Sequence, residues 1–132
     1  MPARVMIVED DLHIAILLQY NFEAAGYEVE HLERGDGVEG RIADCAPDLL
    51  LLDWNLPGVS GIELCRRIRR LTPMERLPII MLTARTDRAD REFAYHLGAN
   101  EYVTKPFLLS DIMFRANGLV PRKLQVTPLP RV

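Results

Sequence analysis

The sequence predicts an α/β fold: a doubly wound, five-stranded parallel sheet flanked by five helices. Three observations carry that prediction. Leu49-Leu50-Leu51-Leu52 is an unbroken apolar run that ends at Asp53 and then at Pro57-Gly58, the pattern of a strand buried on both faces and stopped by a turn. Similar short apolar runs alternate along the chain with longer segments whose apolar residues recur every three or four positions. Finally, 132 residues with 48% apolar and 27% charged content suit one globular domain with a single core.

The elements follow in order. Val5–Val8 is the first strand, closed by the acids Glu9-Asp10-Asp11. Leu12–Ala25 reads as an amphipathic helix with Asp11 as its N-cap and Gly26 as its stop; Leu12, Ala15, Ile16, Leu18, Phe22 and Ala25 form its apolar side. Tyr27–Leu32 alternates as a second strand. Gly35–Cys45 is a weaker helix, diluted by Gly37 and Gly40 and closed by Pro47. Asp48–Asp53 is the central strand. Ser60 caps a helix running to about Leu71, and Glu63 three residues on completes a capping box. Pro78–Leu82 is a fourth buried strand ending at Thr83-Ala84, and Asp87–Leu97 is a helix stopped by Gly98. Glu101–Thr104 is the fifth strand and delivers Lys105-Pro106. The last helix spans Leu109–Asn117, shortened by Gly118 and Pro121. Right-handed crossovers join such a series into a flavodoxin-like sheet of order 2-1-3-4-5. The folded domain is expected over 1–120, with 121–132 a Pro-containing tail or linker.

Charge excludes some functions. Net charge is −3, but residues 115–132 carry Arg115, Arg122, Lys123 and Arg131 without an acid. Residues 1–114 therefore have 12 bases against 19 acids. So acidic a body repels nucleic acid, and direct DNA binding is not expected of it. No apolar run approaches the roughly 20 residues that cross a bilayer, and no signal sequence precedes the first strand, so a cytoplasmic protein is expected. Cys45 and Cys65 lack metal-ligand spacing and read as buried free thiols.

Chemistry is expected beyond the carboxyl ends of the strands. Four of the five strands end there in polar residues: Glu9/Asp10, Asp53, Thr83 and Lys105. Converging carboxylates need a compensating cation, and an oxygen-only ligand set with room for water and phosphate suits Mg²⁺. The chain has two lysines against fourteen arginines. An ammonium at a strand end in such a sequence suggests a point charge facing a carboxylate or phosphate.

These residues, together with Val8-Glu9-Asp10-Asp11, Leu52-Asp53-Trp54-Asn55-Leu56-Pro57-Gly58, Gly61, Leu82-Thr83-Ala84-Arg85, Gly98-Ala99 and Tyr102-Val103-Thr104-Lys105-Pro106-Phe107, make the chain resemble the CheY-like receiver domain of two-component response regulators. The resemblance runs from Arg4 to about Arg115. It is strongest to the OmpR/PhoB branch, especially its phosphate-regulon members, which regulate transcription. It implies a phosphoprotein of a phosphorelay, phosphorylated on Asp53 by a histidine kinase. Asp10, Asp53 and the Asn55 carbonyl would bind Mg²⁺ directly, and Glu9 mainly through water. Thr83, the Ala84 amide and Lys105 would hold the phosphoryl group, and Thr83 with Tyr102 would form the switch. Lys105-Pro106 is expected to be cis. The chain would catalyse its own modification, without being a turnover enzyme.

The resemblance also implies homodimerisation through the fourth helix, fifth strand and fifth helix, using Arg91, Glu101, Asp111 and Arg115. Asn100 replaces a usual aspartate and is expected to leave Arg115 one partner short across such an interface. Leu108-Leu109, Phe114 and Asn117 depart from the branch, as do Phe93, Tyr95 and His96 on the fourth helix. Phe93 faces either the core or a hydrophobic partner. That divergence supports a second reading, a docking module that works without phosphorylation. With no winged-helix segment before Val132, the output is a downstream protein or a DNA-binding domain absent from this sequence. A flavin site is disfavoured because no Gly-rich loop follows the first strand. A haloacid-type hydrolase is disfavoured because Asn55 stands where a second acid is needed.

Overall fold

The computed structural model describes residues 2–120; the expected tail 121–132 lies outside the described residues. Five parallel strands, β1 (Arg4–Val8), β2 (Glu28–Leu32), β3 (Leu49–Asp53), β4 (Ile79–Thr83) and β5 (Glu101–Thr104), form one sheet of order β2-β1-β3-β4-β5. The helices between and after them are α1 (Leu12–Ala24), α2 (Val38–Cys45), α3 (Gly61–Ile68), α4 (Arg88–His96) and α5 (Leu109–Leu119). The expected topology is the one observed.

The leucine run shows why the sheet is doubly covered. Successive strand side chains point to opposite faces. Leu50 and Leu52 join Met6, Val8, Ile79 and Met81 in a core with residues of α2, α3 and α4. Leu49 and Leu51 join Val5, Ile7, Ile80 and Leu82 in a second core with residues of α1 and α5. Each buried leucine contributes roughly 1.5–3 kcal/mol of hydrophobic free energy.

Several boundaries differ from expectation. The segment from Gly35 turns before it coils: Gly37 has φ of 83°, and α2 begins only at Val38. α3 stops at Ile68, short of Leu71. Ser60 Oγ accepts from the Glu63 amide as expected. The Glu63 carboxylate, however, is taken by Arg66 and Arg67 rather than reaching back to the cap, so the capping box is half made. A 3₁₀ turn at Met74–Arg76 was not expected. α5 continues through Gly118 to Leu119.

The apolar side of α1 also differs. Asp11 caps the helix through the amides of His13 and Ile14, and Ala15, Leu18 and Phe22 are buried. Leu12 and Ile16, however, face solvent, Ile16 being 67% exposed. On α4 only Ala94 is fully buried; Phe93 and Tyr95 are exposed, while Leu97 packs against the core. Cys65 is buried and Cys45 only partly so.

Candidate functional site

Register brings the strand ends together. Val8 pairs with Leu52, and Asp53 with Leu82, so β1, β3 and β4 finish at the same level. The residues just past that level, Glu9, Asp10 and Asp53, offer carboxylate oxygens that all lie within 4.8 Å of one another. Glu9 and Asp53 are buried, whereas Asp10 is exposed.

Lys105 reaches in from the end of β5, after a cis bond to Pro106. Its Nζ stands 2.7 Å from Glu9 Oε1 and 3.2 Å from Asp53 Oδ2. Burial alone would lower its ammonium pKa, but Glu9 and Asp53 outweigh that and hold it above the ordinary lysine range. Burial pushes the Glu9 carboxyl up to about 7; Lys105 opposes the rise and neighbouring Asp53 adds to it. The second Glu9 oxygen accepts from the Asp11 amide. Glu9 Oε1 is fully buried and faces the Lys105 ammonium.

This donor set fits a hard divalent cation. It offers three carboxylates, that of Glu9 with a fully buried oxygen, and no nitrogen or sulfur ligand among the converging groups. Asn55 lies beside them and is exposed; its amide donates to Asp53 Oδ1 at 3.2 Å.

The loop after β3 is shaped by α3. The Gly61 amide donates to the Trp54 carbonyl at 2.8 Å, and the helix start lies so close that a β-carbon on Gly61 would overlap the Asp53 carbonyl. Glycine is the residue that permits this approach.

On the β4 side Thr83 is buried, and its Oγ1 accepts from the Arg85 amide at 3.0 Å. Ala84 between them is exposed. Tyr102 is 2% exposed and donates its hydroxyl to the Arg85 carbonyl at 2.9 Å. It is a buried side chain, not a half-buried edge residue.

Arg85 itself is a site residue that sequence reasoning did not single out. Its guanidinium lies 4.7 Å from the centre of the Trp54 ring, donates to Asn55 Oδ1 at 3.3 Å and stands 3.5 Å from Asp90. It thus ties the loop after β3 to the start of α4. The only signal in the sequence was its position two residues after Thr83.

The expected interface residues share one side of the domain. Arg91 lies over the Tyr102 ring, while Arg115 pairs with Asp111 at 3.0 Å and with Glu101. Arg115 therefore has two acidic partners within its own chain. Asn100 is turned elsewhere: its Oδ1 accepts from the Ile79 amide and from Arg69.

Residues 5–117 match the family described as the response regulator receiver domain. The chain is 49% identical over 122 residues to the phosphate regulon transcriptional regulatory protein PhoB of Rhizobium meliloti, covering 92% of this chain and 54% of that protein. The chain thus spans about half the length of this relative. Among solved structures, it resembles the BeF3-activated N-terminal receiver domain of Klebsiella pneumoniae RstA, with 30% identity and a TM-score of 0.82 over 88% of this chain and 97% of that one. It also resembles the receiver domain of the Pseudomonas aeruginosa sensor histidine kinase PA1611, which holds magnesium in its active-site cleft. There the identity is 27% and the TM-score 0.82, over 90% and 98% of the two chains.

Proposed function

Because the chain belongs to the response regulator receiver family, we propose that it takes a phosphoryl group onto Asp53 from a histidine kinase and signals through altered protein contacts. The observation that carries this reading is the meeting of Asp53 with Glu9, Asp10 and Lys105 at one sheet edge.

In this reading an Asp53 carboxylate oxygen attacks phosphorus as the P–N bond of the kinase phosphohistidine breaks, its electron pair returning to the imidazole nitrogen. Asp10, Asp53 and the Asn55 carbonyl would hold Mg²⁺, and Glu9 would act through water. Bound there, Mg²⁺ supplies positive charge opposite the acids and the phosphoryl oxygens. Lys105 is already beside Asp53 Oδ2 and neutralises a further oxygen. The Ala84 amide and the Thr83 hydroxyl donate to the others. The Thr83 oxygen also accepts from the Arg85 amide, and Tyr102 donates to the Arg85 carbonyl, so both switch residues hold the backbone of Arg85. Movement of Thr83 toward the phosphoryl group is thereby transmitted to the loop before α4.

The output we favour is a homodimer through α4, β5 and α5, with Arg91, Glu101, Asp111 and Arg115 at its centre. Transcription regulation, the role of the Rhizobium meliloti relative, is our proposal for the pathway served, in the cytoplasm. Among the described residues no helix is long and apolar enough to cross a membrane.

The test is phosphorylation from acetyl phosphate in Mg²⁺, read by intact mass. One phosphoryl group that disappears in Asp53→Asn supports the reading. Labelling that persists in Asp53→Asn, or none in wild type, overturns it.

A further inference from the structure

α5 carries an exposed knob and a hole one turn apart. Phe114 is 79% exposed, the highest value among the exposed large apolar side chains. Gly118 lies four residues on, hence on the same helix face. No described atom outside its immediate helix lies within 4 Å of where its β-carbon would stand. The two flank a concavity of about 550 Å³, rimmed by Glu101, Asp111 and Arg115.

Such a face complements itself. In a two-fold pair, residue i of one copy meets residue j of the other, and j meets i. Two antiparallel α5 helices crossing midway between these positions place each phenyl ring over the opposite glycine, where backbones approach closely and the ring leaves water. Charge favours the same partner. Residues 1–114 carry seven more acids than bases, from 12 against 19, so two copies repel over most of their surface. On this side, however, Arg91 and Arg115 balance Glu101 and Asp111. Each copy offers both signs to an identical partner, and the Arg115 pairs can be exchanged between copies.

We propose that a second copy of this chain docks along α5, with Phe114 of each copy seated over Gly118 of the other. This deepens, and rests on, the homodimer reading above. It assigns the specificity of the interface to a knob-and-hole pair rather than to the charges alone.

The experiment is light scattering and sedimentation over a concentration series, with beryllofluoride and Mg²⁺ present. It compares wild type, Phe114→Ala, Gly118→Leu and the double exchange Phe114→Gly with Gly118→Phe. Circular dichroism verifies that each variant is folded. Wild type is expected to dimerise. Either single substitution should weaken the dimer at least ten-fold, one by removing the knob and the other by filling the hole. The double exchange should recover to within a few-fold of wild type, because it transposes knob and hole across the same two-fold. A wild-type dimer indifferent to both single substitutions overturns the α5 packing and leaves the homodimer reading standing. Weakening without recovery in the exchange also overturns it, because the contact is then not reciprocal. Wild type that stays monomeric overturns the homodimer reading and this proposal with it.

Discussion

A β-carbon on Gly61 would occupy the space of the Asp53 carbonyl oxygen. The start of α3 and the end of β3 therefore touch backbone to backbone, and the loop carrying Trp54 and Asn55 is folded tightly between them. Gly61→Ala is expected to destabilise the domain by about 1–3 kcal/mol, the usual cost of overpacking. Urea unfolding measures the stability loss. Intact mass after acetyl phosphate measures the accompanying drop in Asp53 labelling.

Lys105 is the cation that offsets two buried carboxylates. In Lys105→Met, the Glu9 carboxyl loses the neighbour that opposes its rise and is expected to titrate above its present value of about 7. Side-chain carbon NMR of Glu9 across pH 5–9 reads this directly. An unmoved midpoint would mean that the ammonium does not act on Glu9.

The same group sets a pH dependence. In the folded protein Glu9 is raised to about 7, above the ordinary value of 4.5 that it has in an unfolded chain. Its stabilising contribution is therefore present below about 4.5 and is lost as pH rises through about 7. Without Mg²⁺, thermal stability should decline over that window more than in Glu9→Gln. Mg²⁺ favours the ionised carboxylate, so its apparent affinity should rise between pH 6 and pH 8, as calorimetry in two buffers would show.

Trp54 is the sole tryptophan and lies beneath the Arg85 guanidinium. Arg85→Ala removes a cation–π contact worth about 0.5–1 kcal/mol at such a site, together with the link to Asn55. Tryptophan emission should change in the resting protein. The emission response to Mg²⁺ should change too, since the Asn55 loop is no longer tethered. Arg85→Lys, which keeps charge but loses the planar stack, should fall between the two.

Leu50 is wholly buried, on the face shared by α2, α3 and α4. Leu50→Ala should cost about 2–5 kcal/mol while sparing the chemistry at Asp53, three residues away. Chemical unfolding and phosphorylation at low temperature separate the two effects.

The sequence by itself determined the order of strands and helices, because the inner strands are short apolar runs, the second strand alternates, and the segments between them carry helical spacing, with side-chain caps at Asp11 and Ser60. It also determined which residues could meet at the sheet edge, since a parallel α/β sheet brings all strand ends to one side. Only the tertiary structure decided orientations. Of the apolar side expected for α1, the rotation of the helix on the sheet buries Ala15, Leu18 and Phe22 and leaves Leu12 and Ile16 in solvent. Nothing local in the sequence assigns a partner to Asn100, whose amide oxygen accepts from the Ile79 amide and from Arg69. Arg85 stood in the Leu82–Arg85 motif without a role until folding carried it across to Trp54 and Asn55. Local patterns record periodicity and capping, which act over a few residues. The facing of a helix and the partner of a long side chain depend on groups outside that range, such as Asn100 with Ile79, 21 positions apart, or Arg85 with Asn55, 30 apart, and only packing brings those together.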